Sequence, residues 1–136
     1  MRCFIAIDMP DKVKDRLEEL QEALPVGRPT DPENLHLTLA FLGDVAQEPL
    51  VELNDELSAL RLPPFTLALD GLGTFGAKAP TVLWAGVKPD PQLTRLHDKV
   101  KGAVRKAGIG MERKRFRPHV TLARFPVRLD PVELGR

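Results

Sequence analysis

No apolar run in this chain reaches the roughly 18–20 residues that a membrane-spanning helix needs. A single cysteine, Cys3, leaves no internal disulfide to form. The opening Met1–Asp8 is apolar but short, and it lacks the long apolar region and small-residue cleavage site of a secretory signal. These absences argue against a membrane span, a disulfide scaffold and an oxidising compartment, and they set the expectation of a cytoplasmic protein. Excess charge is scarce too: 20 Lys and Arg against 19 Asp and Glu leave a net +1. What is present is ordinary globular usage, 43% hydrophobic and 29% charged, over 136 residues. That suffices for one domain, 1–136, with a real core, and is too little for two independent ones.

The charges are unevenly placed. From Asp44 to Leu60 every charged residue is acidic, whereas Lys101–Arg124 carries eight Lys or Arg and one acid, Glu112. A local basic segment attracts phosphate even on a nearly neutral molecule. Lys101, Arg105 and Lys106 read as a solvated helix face. The denser run Arg113-Lys114-Arg115-Phe116-Arg117 leads straight into His119.

Arg2–Asp8 predicts a first strand, with Asp8 placed to cap the helix that follows and Pro10 in its first turn. Val13, Leu17, Leu20 and Leu24 recur at helical steps. Pro25, Gly27, Pro29 and Pro32 make a loop, and Asn34–Leu42 a second strand ended by Gly43. A second helix fits Glu48–Leu60 before Pro63-Pro64 breaks it. Phe65–Leu69 reads as a strand, Gly71–Pro80 as a glycine-rich loop, and Thr81–Val87 as a strand. A third helix fits Pro91–Ala107, ended by Gly108 and Gly110, and Arg117–Phe125 is the last strand. The order βαβαββαβ predicts an α+β domain.

The chain says nearly the same thing twice. An apolar strand (FIAI, then LWAGV) runs into a Pro-Asp turn, an amphipathic helix, and a strand bearing His-x-Thr-Leu. The echo predicts two pseudo-equivalent halves. Two of the three histidines lie in it, at His36-Leu37-Thr38-Leu39 and His119-Val120-Thr121-Leu122. On a strand, residues two apart share a face, so each strand presents an imidazole and a hydroxyl together while its Leu or Val faces the core. Related by an approximate two-fold, the two pairs would face each other across a cleft.

Opening a cyclic phosphodiester wants this arrangement. A base must deprotonate the attacking water and an acid must protonate the departing ribose oxygen, and imidazole titrates near neutrality. Neighbouring hydroxyls can bond the non-bridging phosphate oxygens. The plain alternative, two ordinary strand histidines, weakens when the motif occurs twice. Two histidines could also belong to a metal site, but neither motif has the further Cys, His or carboxylate ligands near it, so no metal or cofactor is expected.

The stretches RCFIAIDMP, ENLHLTLAFLGDV, VLWAGV and FRPHVTLARF, which run from near the start to Phe125, resemble the bacterial and archaeal RNA 2′,3′-cyclic phosphodiesterases (2′-5′ RNA ligase-like) of the two-histidine phosphoesterase superfamily. The resemblance implies a two-lobed α+β fold with antiparallel sheets flanking a central cleft and helices outside. It implies metal-independent hydrolysis of 2′,3′-cyclic phosphate ends to 2′-phosphates, with some members joining tRNA halves reversibly through a 2′,5′ linkage. The implied substrates are RNA with such ends, tRNA halves among them, or cyclic nucleotides, met by a monomer away from membranes. On the matching positions His36 would be the general acid at the ribose 3′ oxygen and His119 the base that activates water. Thr38 and Thr121 would hold the phosphate oxygens, and Arg124 would lie near the phosphate or base. Family members usually continue with further strands, whereas only Phe125–Arg136 follows here: either the C-terminal part is naturally short or part of it lies beyond this sequence. A non-catalytic nucleotide or RNA-end binding module is the rival function.

Other residues carry weaker signals. Arg117 shares the His119 face on a regular strand and could steer phosphate, although Pro118 intervenes. His97 reads as a surface or boundary histidine. Phe41 should lie on the core face with Leu37 and Leu39, base stacking being the alternative. Trp84 reads as core, and Phe116 stands open between core and stacking.

Overall fold

The computed structural model describes residues 2–24, 27–76, 79–111 and 115–125. Arg113, Lys114 and the tail 126–136, singled out above, lie outside these described residues. Arg2–Asp8 forms strand β1 and Asp11–Ala23 helix α1. A two-residue strand β2, Arg28–Pro29, and a 3-10 turn at Pro32–Asn34 precede β3, His36–Asp44. Then come α2 (Gln47–Ser58), β4 (Leu69–Phe75), β5 (Val82–Val87), α3 (Pro91–Lys106) and β6 (His119–Arg124). The fold is α+β, and every strand pair with a defined register among the described residues is antiparallel.

Two compact units divide the chain, each assembled from three segments. The first comprises Met1–Ala6, Thr38–Ala68 and Lys88–Arg117; the second comprises Ile7–Leu37, Leu69–Val87 and Pro118–Arg136. In the first, α2 and α3 pack together, and Leu53 of α2 and Leu93, Val100 and Val104 of α3 are buried. Helix α3 starts where its sequence says it should: the Asp90 carboxylate accepts from the Gln92 N–H at 2.8 Å and Pro91 occupies the first turn. Helix α1, in the second unit, is capped differently from the expectation. Its N-cap is Pro10, with no side-chain cap, because the Asp8 carboxylate is engaged by the Lys14 ammonium at 3.1 Å.

In the second unit the hydrogen-bonded order is β3-β6-β5-β4, and β2 adds to β6. In each sequence half the strands flanking the helix are neighbours, β1 with β3 and β5 with β6. One expectation fails here. Phe65–Leu69 is not a strand, and the glycine-rich stretch read as a loop is β4 from Leu69 to Phe75. The glycines serve packing and a bulge. Gly71 has φ +75° where β4 carries one extra residue between Leu69 and Leu72, relative to β5. Gly73 lies opposite Trp84, and a Cβ there would sit 2.4 Å from the indole ring. Glycine thus reads as a breaker in sequence and acts as a seat for an aromatic ring in the sheet.

Two glycine substitutions separate these roles. Gly73→Ala should destabilise the protein by about 1–3 kcal/mol through overpacking, and should displace Trp84, the single tryptophan, so that its fluorescence shifts. Gly102→Ala, inside α3 with open space around the added methyl, should instead stabilise by roughly 0.5–1 kcal/mol. Urea unfolding followed by tryptophan fluorescence reads both.

Candidate active site

The site begins with a pairing on the buried side of the sheet. Leu37 of β3 lies opposite Val120 of β6, and both are fully buried. They occupy the same place in the two motifs, the residue after the histidine. An antiparallel pair between equivalent positions is locally two-fold, so the sequence echo has a structural counterpart at this point. One step along the same register sets His36 beside Thr121. His119 is then the diagonal neighbour of His36, a relation that puts the two residues about 7–8 Å apart. His36, His119 and Thr121 are half-buried, whereas the alternate positions Leu37, Val120 and Leu122 are buried. Both histidines belong to the second unit, on one face of neighbouring strands. Thr38, also half-buried, is two residues beyond His36 on β3, where the chain enters the first unit.

Beside His119 stands an aromatic wall. The Phe75 ring meets the imidazole edge-on at 4.9 Å and 90°, Trp84 lies 6.3 Å from it, and Phe75 and Trp84 are 5.2 Å apart. Trp84 is half-buried opposite Thr121, so it belongs to the wall of this face and not to the core as its apolar strand suggested. An edge contact of this kind restricts rotation of the imidazole ring. Sequence reading missed Phe75 because the glycines around it hid the strand.

Strict alternation from Thr121 would turn Arg124 to the buried face. The structure avoids this with a bulge. On β5, Leu83 pairs with Ala123 and Trp84 with Thr121, so Leu122 is the extra residue on β6. Leu122 and Ala123 are both buried, and Arg124, opposite Val82, returns exposed to the face of Thr121 and His119. The bulge is clamped from α1: Gln21 Nε2 donates to the carbonyl oxygens of Thr30 at 2.9 Å and Leu122 at 2.8 Å. The Thr30 N–H donates to the same Leu122 oxygen at 2.9 Å. No motif pointed to Gln21, since a helical glutamine carries no sign of a distant strand carbonyl.

The remaining sequence-selected residues fall elsewhere. Arg117 is exposed and precedes β6, which starts at His119. Phe41 is 62% exposed and tilts against Phe4 at 6.2 Å. It was expected in the core, but Leu39 and Ala40 are both buried, and the burial phase of β3 changes there and leaves Phe41 outside. His97 stacks on Phe116 at 3.8 Å, almost parallel. Among the described residues no group of three or more His, Cys, Asp or Glu side chains is placed to hold a metal ion. No described helix is long and apolar enough to cross a membrane.

A sequence profile described as the 2′-5′ RNA ligase superfamily matches residues 9–133. The chain belongs to the 2′-5′ RNA ligase superfamily. Within the superfamily it is 40% identical over 129 residues to the RNA 2′,3′-cyclic phosphodiesterase of Archaeoglobus fulgidus, covering 91% of this chain and 72% of that protein. It is 37% identical over 128 residues to the RNA 2′,3′-cyclic phosphodiesterase of Geobacillus stearothermophilus, covering 89% of this chain and 41% of the longer relative. Among solved structures, Escherichia coli LigT complexed with 3′-AMP superposes with a TM-score of 0.78 at 32% identity, over 96% of this chain and 76% of that one. Every residue of the histidine face lies inside the segment matched to the superfamily.

Electrostatics acts on His36. Partial burial holds His36 below its ordinary value of 6.5; the Asp8 carboxylate pulls it up and the Lys14 ammonium pushes it down. Asp8 itself is held low, chiefly by its bond from Lys14. The His36 imidazole should therefore titrate below pH 6.5 in an NMR titration of the free protein. Asp8→Asn removes an influence that favours the imidazolium and leaves Lys14 in place, so it should move the midpoint lower still. A midpoint at or above 6.5 would show that burial does not govern this ring.

Proposed function

We propose that this chain hydrolyses 2′,3′-cyclic phosphate ends of RNA to 2′-phosphates without a metal, with His36 and His119 as the proton-transfer pair. One observation carries the assignment: the antiparallel pairing of Leu37 with Val120, which sets two motif histidines on one face with Thr121 opposite His36. The A. fulgidus and G. stearothermophilus relatives, named as RNA 2′,3′-cyclic phosphodiesterases, support it. So does the fold match to a LigT structure holding a nucleotide.

Water attacks phosphorus and loses its proton to His119 while the bond from phosphorus to O3′ breaks. His36 gives its proton to O3′, and the phosphate stays on O2′. Thr121 and Thr38 donate to the non-bridging oxygens, where negative charge is held through the reaction. Arg124 adds a fixed positive charge on the same face. As an acid, His36 must be charged, yet partial burial favours its neutral form. The bound phosphate supplies the missing anion and raises the His36 pKa when the substrate arrives. With a 5′-hydroxyl in place of water the same steps produce a 2′-5′ linkage. RNA ends, tRNA halves included, and cyclic nucleotides are the substrates, met in the cytoplasm by a single two-lobed domain. The domain acts as a monomer.

His36→Ala or His119→Ala should each lower kcat by about 10²–10⁴-fold, with the circular dichroism spectrum unchanged, and wild-type turnover should persist in EDTA. Turnover close to wild type in either variant refutes the pair. With His36 as acid, the pH profile of kcat/KM should carry a midpoint below 6.5 that moves further down in Asp8→Asn. A profile that Asp8→Asn leaves unmoved would remove His36 from the proton transfer. The product isomer decides the leaving oxygen, a 2′-phosphate being expected.

A further inference from the structure

Strand β2 is only two residues long, and its register places Arg28 directly opposite Arg124 and Pro29 opposite Ala123. Opposite residues of an antiparallel pair share a face. Pro29 and Ala123 line a hollow with Gln21 of α1 and Leu24 just after it, together with Leu83 and Leu122, which fixes their side as the one covered by the helix. Arg28 and Arg124 therefore lie together on the other side, the face of Thr121 and His119. Both are exposed, and neither has an ion-pair partner among the described residues.

Two like charges directly opposite each other on a ladder destabilise it. This pair is nonetheless built with some care. Leu122 bulges out of register to return Arg124 to this face, and Gln21 and Thr30 bind the bulge carbonyl and so hold β2 against β6 at that point. The unbalanced charge is relieved if an anion lies across both guanidinium groups, a geometry suited to the oxygens of a phosphate. Because Leu122 is the extra residue, Thr121 and Arg124 lie opposite Trp84 and Val82, two residues apart on β5, roughly 6–7 Å at about 3.3 Å per residue, so the pair extends the histidine face toward the neighbouring nucleotide unit.

We infer that Arg28, beside Arg124, forms a second phosphate subsite that takes the phosphodiester on the 5′ side of the terminal nucleotide, so that the site selects chain ends over lone nucleosides. The inference rests on the hydrolase reading above and names the part of the substrate that the histidines do not touch. Arg28 is a binding residue in this scheme, distinct from the proton-transfer pair. A phosphate contact made by Arg28 also makes recognition salt-dependent, because each neutralised phosphate releases counterions.

The test compares adenosine 2′,3′-cyclic phosphate with the same compound carrying a 5′-phosphate. Wild-type protein should have a kcat/KM about tenfold higher for the 5′-phosphorylated substrate at low salt. Arg28→Gln should lose about tenfold more on that substrate than on the other. Arg28→Lys should keep part of the preference, since a point charge remains without the planar fork. In parallel, calorimetry compares adenosine 2′-monophosphate with adenosine 2′,5′-bisphosphate. Tighter binding of the bisphosphate that vanishes in Arg28→Gln supports the subsite. Equal losses on both substrates, or a bisphosphate preference that survives the substitution, overturns it. Should wild-type protein turn over neither cyclic compound, the hydrolase reading falls, while the calorimetric preference still decides the role of Arg28.

Discussion

Leu37 and Val120 meet where β3 and β6 run side by side, and the rest of the site depends on that buried pair. Burying an aliphatic side chain of this size is worth about 1.5–3 kcal/mol, and here the energy fixes a register as well as a core. A slip of one residue on either strand would turn every imidazole and hydroxyl to the wrong side. The active face is thus held by its reverse: the apolar residues between the motif positions decide where the polar ones point.

Irregularities in the neighbouring strands refine what the pair establishes. The Leu122 bulge brings a third-position arginine back to the face that alternation would deny it. The Gly71 bulge and the bare backbone at Gly73 let Trp84 lie flat over β4, and Trp84 with Phe75 walls in His119. Gln21 reaches from a helix to two strand carbonyls and closes the account of backbone groups that the bulge leaves over. Such departures from ideal geometry gather around a site because they re-aim side chains that a regular sheet cannot.

The two histidines carry the same motif and yet stand in different surroundings. His119 is braced by aromatic edges; His36 lies beside an Asp8–Lys14 ion pair and loses solvent through partial burial. A doubled motif has two equal rings only on paper. General acid work needs a charged ring, and burial favours a neutral His36, so its charge has to come with the anionic substrate.

Much was legible in the chain alone. The strand at Arg2–Asp8, the three helices, the histidine strands and the shared face of each His and Thr follow from local periodicity, which depends on neighbours a few residues away. So does the Asp90 cap of α3. The rest was decided by residues distant in sequence. Gly71–Phe75 became a strand because Trp84 needed an uncluttered surface opposite it, and Phe41 turned outward because its strand is buried on both sides one step earlier. Arg28 gained a role only when β2 came to lie against β6. A sequence determines which faces its elements can offer; the pairing of those faces, and the bulges that re-aim them, come from packing between segments that no local pattern records.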